Sequence, residues 1–186
     1  ASISRSLERS MARLGADAAI VPAGVTANLT PVLLTVEPGP VVISAPTIAM
    51  ISALPVVGRV AAQRTLKMST SSGHLPIDMV VFDPVADLTI QPWVVEQLQR
   101  PFGPGDVLVG ARRPERLGER LMLQGVEATV HGRLGLAGAG PFERSMFIGP
   151  ETARLLAVAK VVMADGQPFP VAPLDSPKIG RAHAEL

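Results

Sequence analysis

The longest stretch without a charge, Pro38 to Gly58, runs for 21 residues. A membrane-spanning helix needs about 20 consecutive apolar residues, so length alone would allow one. Pro38, Pro40, Pro46 and Pro55 argue against it. Each interior proline removes a backbone donor and clashes with the preceding turn, and lipid offers nothing to the carbonyls left unpaired. The same residues parse better as a strand over Val41–Ile43, Ser44 as an N-cap, a helix from Pro46 to Leu54 with proline in its first turn, and a strand from Val56 to Lys67. Ile48, Ile51 and Leu54 are predicted to face inward.

Upstream, Ile3, Leu7, Met11 and Leu14 recur at helical spacing opposite Arg5, Glu8, Arg9 and Arg13, so residues 2–14 read as an amphipathic helix ended by Gly15. Ala18 to Val21 reads as a buried strand. The polar seam Ser69-Thr70-Ser71-Ser72-Gly73 is the clearest internal boundary. Beyond it, Ile77–Phe82, Val107–Val109, Glu119–Leu123 and Val126–Leu134 are short apolar or alternating runs set apart by turn residues, which predicts a small, mostly antiparallel sheet. Trp93–Gln99 and Pro150–Ala159 read as helices attached to it, the second with Thr152, Leu155, Leu156 and Ala159 on one face. After Asp165-Gly166 the prolines at 168, 170, 173 and 177 predict an extended or loosely held tail.

The chain of 186 residues has 17 Lys+Arg against 16 Asp+Glu, a net charge of +1, and so no concentrated basic surface for nucleic acid. It has no cysteine, which excludes thiol catalysis and Cys-ligated zinc and fits an oxidising compartment. His74, His131 and His183 are too far apart in sequence to form an i, i+4 metal pair. An enzyme would need a strongly coupled pair, with His74 or His131 its member. Gly135, Gly138 and Gly140 lack the strand-to-helix setting and the following Lys of a phosphate loop. Asp83 and Asp87 make too few oxygens for a cation cage and suit a turn before Pro84. Arg112, Arg113, Arg116 and Arg120 are the one basic concentration, balanced by Glu115 and Glu119; they read as a solvated loop and helix start, with anionic lipid or an acidic partner as the other use. Asn28-Leu29-Thr30 matches a glycosylation sequon. No Gly-x-Ser-x-Gly elbow occurs. No catalytic, cofactor or metal residue is therefore assigned. The apolar fraction of 47%, the mean hydropathy of +0.34 and a start at Ala1 without a signal-like segment read as an excised or processed piece.

Leu14-Gly15-Ala16-Asp17 followed by Ile20-Val21-Pro22-Ala23-Gly24 resembles the segment just after the first membrane helix of MacB/FtsX-type ABC transporter permeases. Leu54 to Gln63 looks like the helix-to-strand passage of their extracytoplasmic domain. Val81-Phe82-Asp83-Pro84 with Asp87 and Pro92-Trp93, and Gly105 to Gly110, are similar to its inserted subdomain. Val130 to Leu134, the Gly138-x-Gly140 loop and Ser145-Met146-Phe147-Ile148 before the Pro150 helix extend the likeness over residues 2–165. The resemblance implies an α+β fold: a porter-like strand-helix-strand part with a stalk helix over residues 1–68, an inserted, mainly antiparallel β, Sabre-like subdomain over 69–165, and a Pro-rich tail over 166–186. Family members usually return through another strand-helix-strand, and here only the tail follows Asp165.

It further implies a non-catalytic domain on the periplasmic side of the bacterial inner membrane, without a cofactor. Its implied partners are the protein's own transmembrane helices, a cytoplasmic ATPase subunit, a second permease protomer and a periplasmic adaptor or cargo protein, with ATP-driven motion transmitted through the stalk. Ile3, Leu7, Met11 and Leu14 would then face a partner helix or a second protomer. The competing expectation is a soluble periplasmic or secreted binding protein whose apolar excess lines a pocket for a hydrophobic ligand.

Overall fold

The computed structural model describes residues 18–20, 43–68, 76–136, 142–158 and 181–185. Outside them lie the 2–14 helix, residues 41–42 of the first predicted strand, the 69–73 seam, Gly138 and Gly140, the sequon, His74, Ala159 and most of the tail. Nine strands and two helices are described: β1 (Ala18–Ile20), α1 (Ala45–Ser52), β2 (Arg59–Met68), β3 (Ile77–Phe82), β4 (Val94–Gln97), β5 (Asp106–Val109), β6 (Arg120–Leu123), β7 (Val126–Leu134), β8 (Met146–Ile148), α2 (Pro150–Val158) and β9 (Arg181–Glu185). The strands make one sheet in the order β1-β9-β2-β3-β8-β5-β7-β4, with β6 beside β7. Two pairings, β3 with β8 and β5 with β7, are parallel; the other six described are antiparallel. The result is α+β and mainly antiparallel.

The centre of the sheet is β3-β8-β5, and it is apolar on both faces. Met79, Val81, Val107, Val109, Met146 and Ile148 pack with Ala153 and Leu156 of α2. The alternate residues Val80, Phe82, Leu108 and Phe147 turn the other way, onto Ile90, Leu134 and the partly buried Trp93, Val94, Phe102 and Phe142. Strands covered on both faces have no polar side to alternate with, which is why these three read as short continuous apolar runs.

Local chemistry explains most boundaries. Ser44 caps α1 by accepting from the Thr47 N–H at 3.3 Å, with Pro46 in the first turn. The β6–β7 hairpin turns on Gln124 and Gly125, both at positive φ (49° and 84°), the pairing that matches the twist of two adjoining strands.

Three expectations are corrected. Trp93–Gln99 is not a helix: a 3-10 turn over Gln91–Trp93 leads into β4, because Pro92 suits only a first turn and Val94 takes its place opposite Leu134 of β7. On α2, Leu155 is 45% exposed and Ala153 takes its place in the core, a shift of the buried stripe by part of a turn. α1 stops at Ser52, leaving Leu54 exposed and starting β2 at Arg59. Of the tail, expected to be extended or loosely held, Arg181–Glu185 is extended and runs as β9 between β1 and β2, where it supplies ladder partners to both.

Candidate functional site

Asp83 and Asp87 are spent on the backbone. Asp83 Oδ1 accepts from the Val85 and Ala86 N–H groups at 2.8 and 3.2 Å, the geometry of an Asx turn. Asp87 is buried and accepts from Thr89 N (3.2 Å), Thr89 Oγ1 (3.1 Å), Ile90 N (2.7 Å) and Gln91 N (2.8 Å). Thr89 in turn receives the Gln63 amide of β2 at 2.6 Å, which pins this loop over the sheet. Replacing Asp87 with alanine strands those donors, and each buried donor left unpaired costs about 1–3 kcal/mol. Asp87→Ala is therefore expected to destabilise the chain by about 3 kcal/mol, and Asp87→Asn, which keeps one acceptor oxygen, by clearly less. Urea unfolding followed by circular dichroism checks both; equal losses would mean that hydrogen bonding is not what Asp87 supplies.

The arginine concentration is mostly neutralised within the chain. Arg112 binds Glu143, Arg113 binds Glu115, and Arg120 lies 3.2 Å from Glu127. Arg133, inside β7, reaches across to the Arg113 carbonyl at 2.8 Å and to those of Glu115 and Gly110, while Glu96 lies 3.1 Å away. These bonds shape the 110–116 loop. The segment expected to start a helix leads instead into β6.

A second cluster has no local signature in the sequence. Arg100, between β4 and β5, places both guanidinium nitrogens on the Asp106 carboxylate at 2.5 and 2.6 Å, and the Gly103 N–H adds a third bond at 2.8 Å. His131 Nδ1 lies 3.5 Å from the same carboxylate with no hydrogen-bond partner, and its ring is only 2% exposed. Burial pushes its pKa down; Asp106 pulls it up by less, and Arg100 adds to the lowering. A bulge puts His131 there: Val107 pairs with Val130 and Leu108 with Gly132, leaving the histidine as the extra residue. Simple alternation places His131 on the polar side with Thr129, so no hydropathy pattern could join positions 100, 106 and 131. His131, named above as a possible member of a catalytic pair, does stand beside a carboxylate, and the Phe102 ring meets its imidazole edge-on at 5.3 Å. Among the described residues no group of three or more acidic or histidine side chains is placed to hold a metal ion.

The exposed side of α1 and the turn after it present Met50, Leu54 and Val56 without a charge among them, and Val85 stands 88% exposed on the Asp83 turn. No described helix is long and apolar enough to cross a membrane.

No protein-family model matches the sequence, and no curated protein matches it. Solved structures do. The chain is similar to the extracellular domain of a noncanonic ABC-type transporter, YknZ, from Gram-positive bacteria, at 12% identity over 79% of this chain and 74% of that one, with a TM-score of 0.50. It is also similar to the periplasmic region of MacB from Actinobacillus actinomycetemcomitans, at 8% identity over 95% of this chain and 77% of that one, with a TM-score of 0.51. The α+β fold is that of these extracytoplasmic transporter domains.

Proposed function

We propose that this chain is the extracytoplasmic domain of a MacB/FtsX-type ABC transporter permease. In this reading it is non-catalytic, lies on the periplasmic side of the inner membrane, and passes ATP-driven motion from a cytoplasmic ATPase subunit to a cargo or a periplasmic partner. The observation that carries the proposal is a fold shared with two such transporter domains over 79% and 95% of the chain. The path of the chain supports it. Ala18 of β1 pairs antiparallel with Ala184 of β9, so the first and last described strands lie side by side at one edge of the sheet. Such a pairing is compatible with a domain inserted between two membrane helices, whose two connections return to one membrane surface.

The test is made on the product of the native gene, by comparing its mass with 19.4 kDa and washing its membranes at alkaline pH. A much larger polypeptide that resists the wash is the expected result, and a wash-released product near 19.4 kDa overturns the proposal. These 186 residues contain no cysteine, so once any cysteines in the rest of the transporter are replaced, a single labelled Val85→Cys can report on motion in this domain. Its emission is expected to differ between the nucleotide-free and ATP-bound states; identical spectra would count against transmitted motion.

A further inference from the structure

The Arg100–Asp106–His131 cluster plays no part in the transport reading, and its chemistry would be the same in a chain of any other function. We propose that these three residues form a proton-operated latch, which holds the 98–105 segment against β5 while His131 is neutral and frees Arg100 when the imidazole is protonated.

The carboxylate oxygen nearest His131, Oδ2, already accepts two bonds. Asp106 Oδ1 takes Arg100 Nη2, and Oδ2 takes both Arg100 Nη1 and the Gly103 N–H. The His131 ring is enclosed, 2% exposed with Phe102 against it, and its backbone is held by Leu98 N on its carbonyl at 2.8 Å. A neutral imidazole carries one N–H and no charge, whereas the imidazolium carries an N–H on both nitrogens. A proton taken from solvent therefore puts a cationic donor at Nδ1, aimed at an oxygen that Arg100 already holds. Two cations then compete for one carboxylate, and only one of them can reach water. The Arg100 side chain is 46% exposed, while that of His131 is 2% exposed. Releasing the guanidinium costs little desolvation; leaving a buried imidazolium unpaired costs much more. Arg100 is the group that leaves. Its departure removes both charge-assisted bonds and the bond to the Pro101 carbonyl, and leaves the middle of the segment with the Gly103 contacts and Phe102, between ends still tied by Leu98 N to the His131 carbonyl and by Gly105 N to Thr152 Oγ1.

Other charges facing this corner are already engaged. On β4, Glu96 is bound to Arg133, and on β7 itself Glu127 is bound to Arg120. Asp106 from β5 and Arg100 from the segment are the charged groups that act on the ring. Because the folded pKa is lowered, the latch is fully closed above the ordinary histidine value of 6.5 and opens as pH falls below it.

The test is amide hydrogen exchange and imidazole NMR on the full chain between about pH 5 and 8. Exchange across 98–105 is expected to rise by about ten-fold or more beyond the intrinsic pH effect as His131 titrates, while Val107 and Phe147 stay protected. Arg100→Gln, on a half-exposed side chain, is expected to raise the His131 midpoint, because a repelling cation is gone, and to leave the segment exchanging fast at every pH. His131→Gln is expected to keep it slow throughout; should that variant fail to fold, the Arg100→Gln comparison decides. Protection that persists through the His131 titration, a midpoint unmoved by Arg100→Gln, or simultaneous loss of protection at Val107 and Phe147 would each overturn the latch.

Discussion

Replacing Phe147 with alanine is expected to lower the unfolding free energy by about 3–5 kcal/mol, the range for deleting a buried aromatic ring where the surroundings cannot collapse. Phe147 is the middle residue of β8 and has no exposed surface. Its backbone is flanked by Val80 of β3 on one side and Leu108 of β5 on the other, so the two strands that could close a cavity are already fixed by ladder bonds to β8. Its ring stacks on Phe142, centroids 6.0 Å apart. Phe147→Leu keeps most of the volume and is expected to cost about 1 kcal/mol. Val95→Ala, on an edge strand with the side chain mostly in water, is expected to change stability by less than about 0.5 kcal/mol. Chemical denaturation of the three variants gives the order. A loss for Phe147→Ala no larger than for Phe147→Leu would mean that the aromatic layer closes over the gap.

That residue also shows how far local sequence carries. Ser145-Met146-Phe147-Ile148 is apolar enough to read as a buried element, and β3, β5 and β7 announce themselves similarly, because burial on two faces or strict alternation writes itself into local composition. Ser44 and Pro46 mark the start of α1 for the same reason: a cap and a first-turn proline act on their own neighbours. Trp93–Gln99 misleads because its conformation is decided elsewhere. Val94-Val95-Glu96-Gln97 carries no decisive local preference and becomes a strand by pairing with β7, a partner more than thirty residues away in the chain. The same holds for β9, whose Arg-Ala-His-Ala-Glu sequence has no apolar run and is drawn into the sheet by β1 and β2. The latch is the extreme case. It depends on a one-residue register shift at His131, and a shift of register leaves every composition and every spacing unchanged.

Gly110→Ala is expected to cost about 3 kcal/mol, the upper part of the range for overpacking, through backbone collision and not through lost flexibility. A Cβ at this position would stand 2.3 Å from the Phe142 carbonyl oxygen and 2.5 Å from both the carbonyl carbon and oxygen of Glu143. No rotamer relieves this, since the obstacle is main chain. The strands β5 and β8 run antiparallel, with Val109 opposite Met146, so the residue after one and the turn before the other are forced together at the same end. Gly110 N donates to Ser145 O at 2.9 Å and Arg112 N to Glu143 O at 2.8 Å, and both bonds would have to lengthen. The 3-10 turn over Phe142–Arg144 would then move outward, taking Phe142 from its stack on Phe147 and straining the Arg112–Glu143 pair. Gly125→Ala separates the two roles a glycine can play. Gly125 sits at φ +84° with nothing near its missing Cβ, so alanine there meets only backbone strain, about 1 kcal/mol. Urea midpoints for the pair measure the difference. A Gly110→Ala loss no greater than that of Gly125→Ala would mean that the Phe142–Arg144 turn yields freely, and that the close approach of the two loops does not fix the end of the sheet.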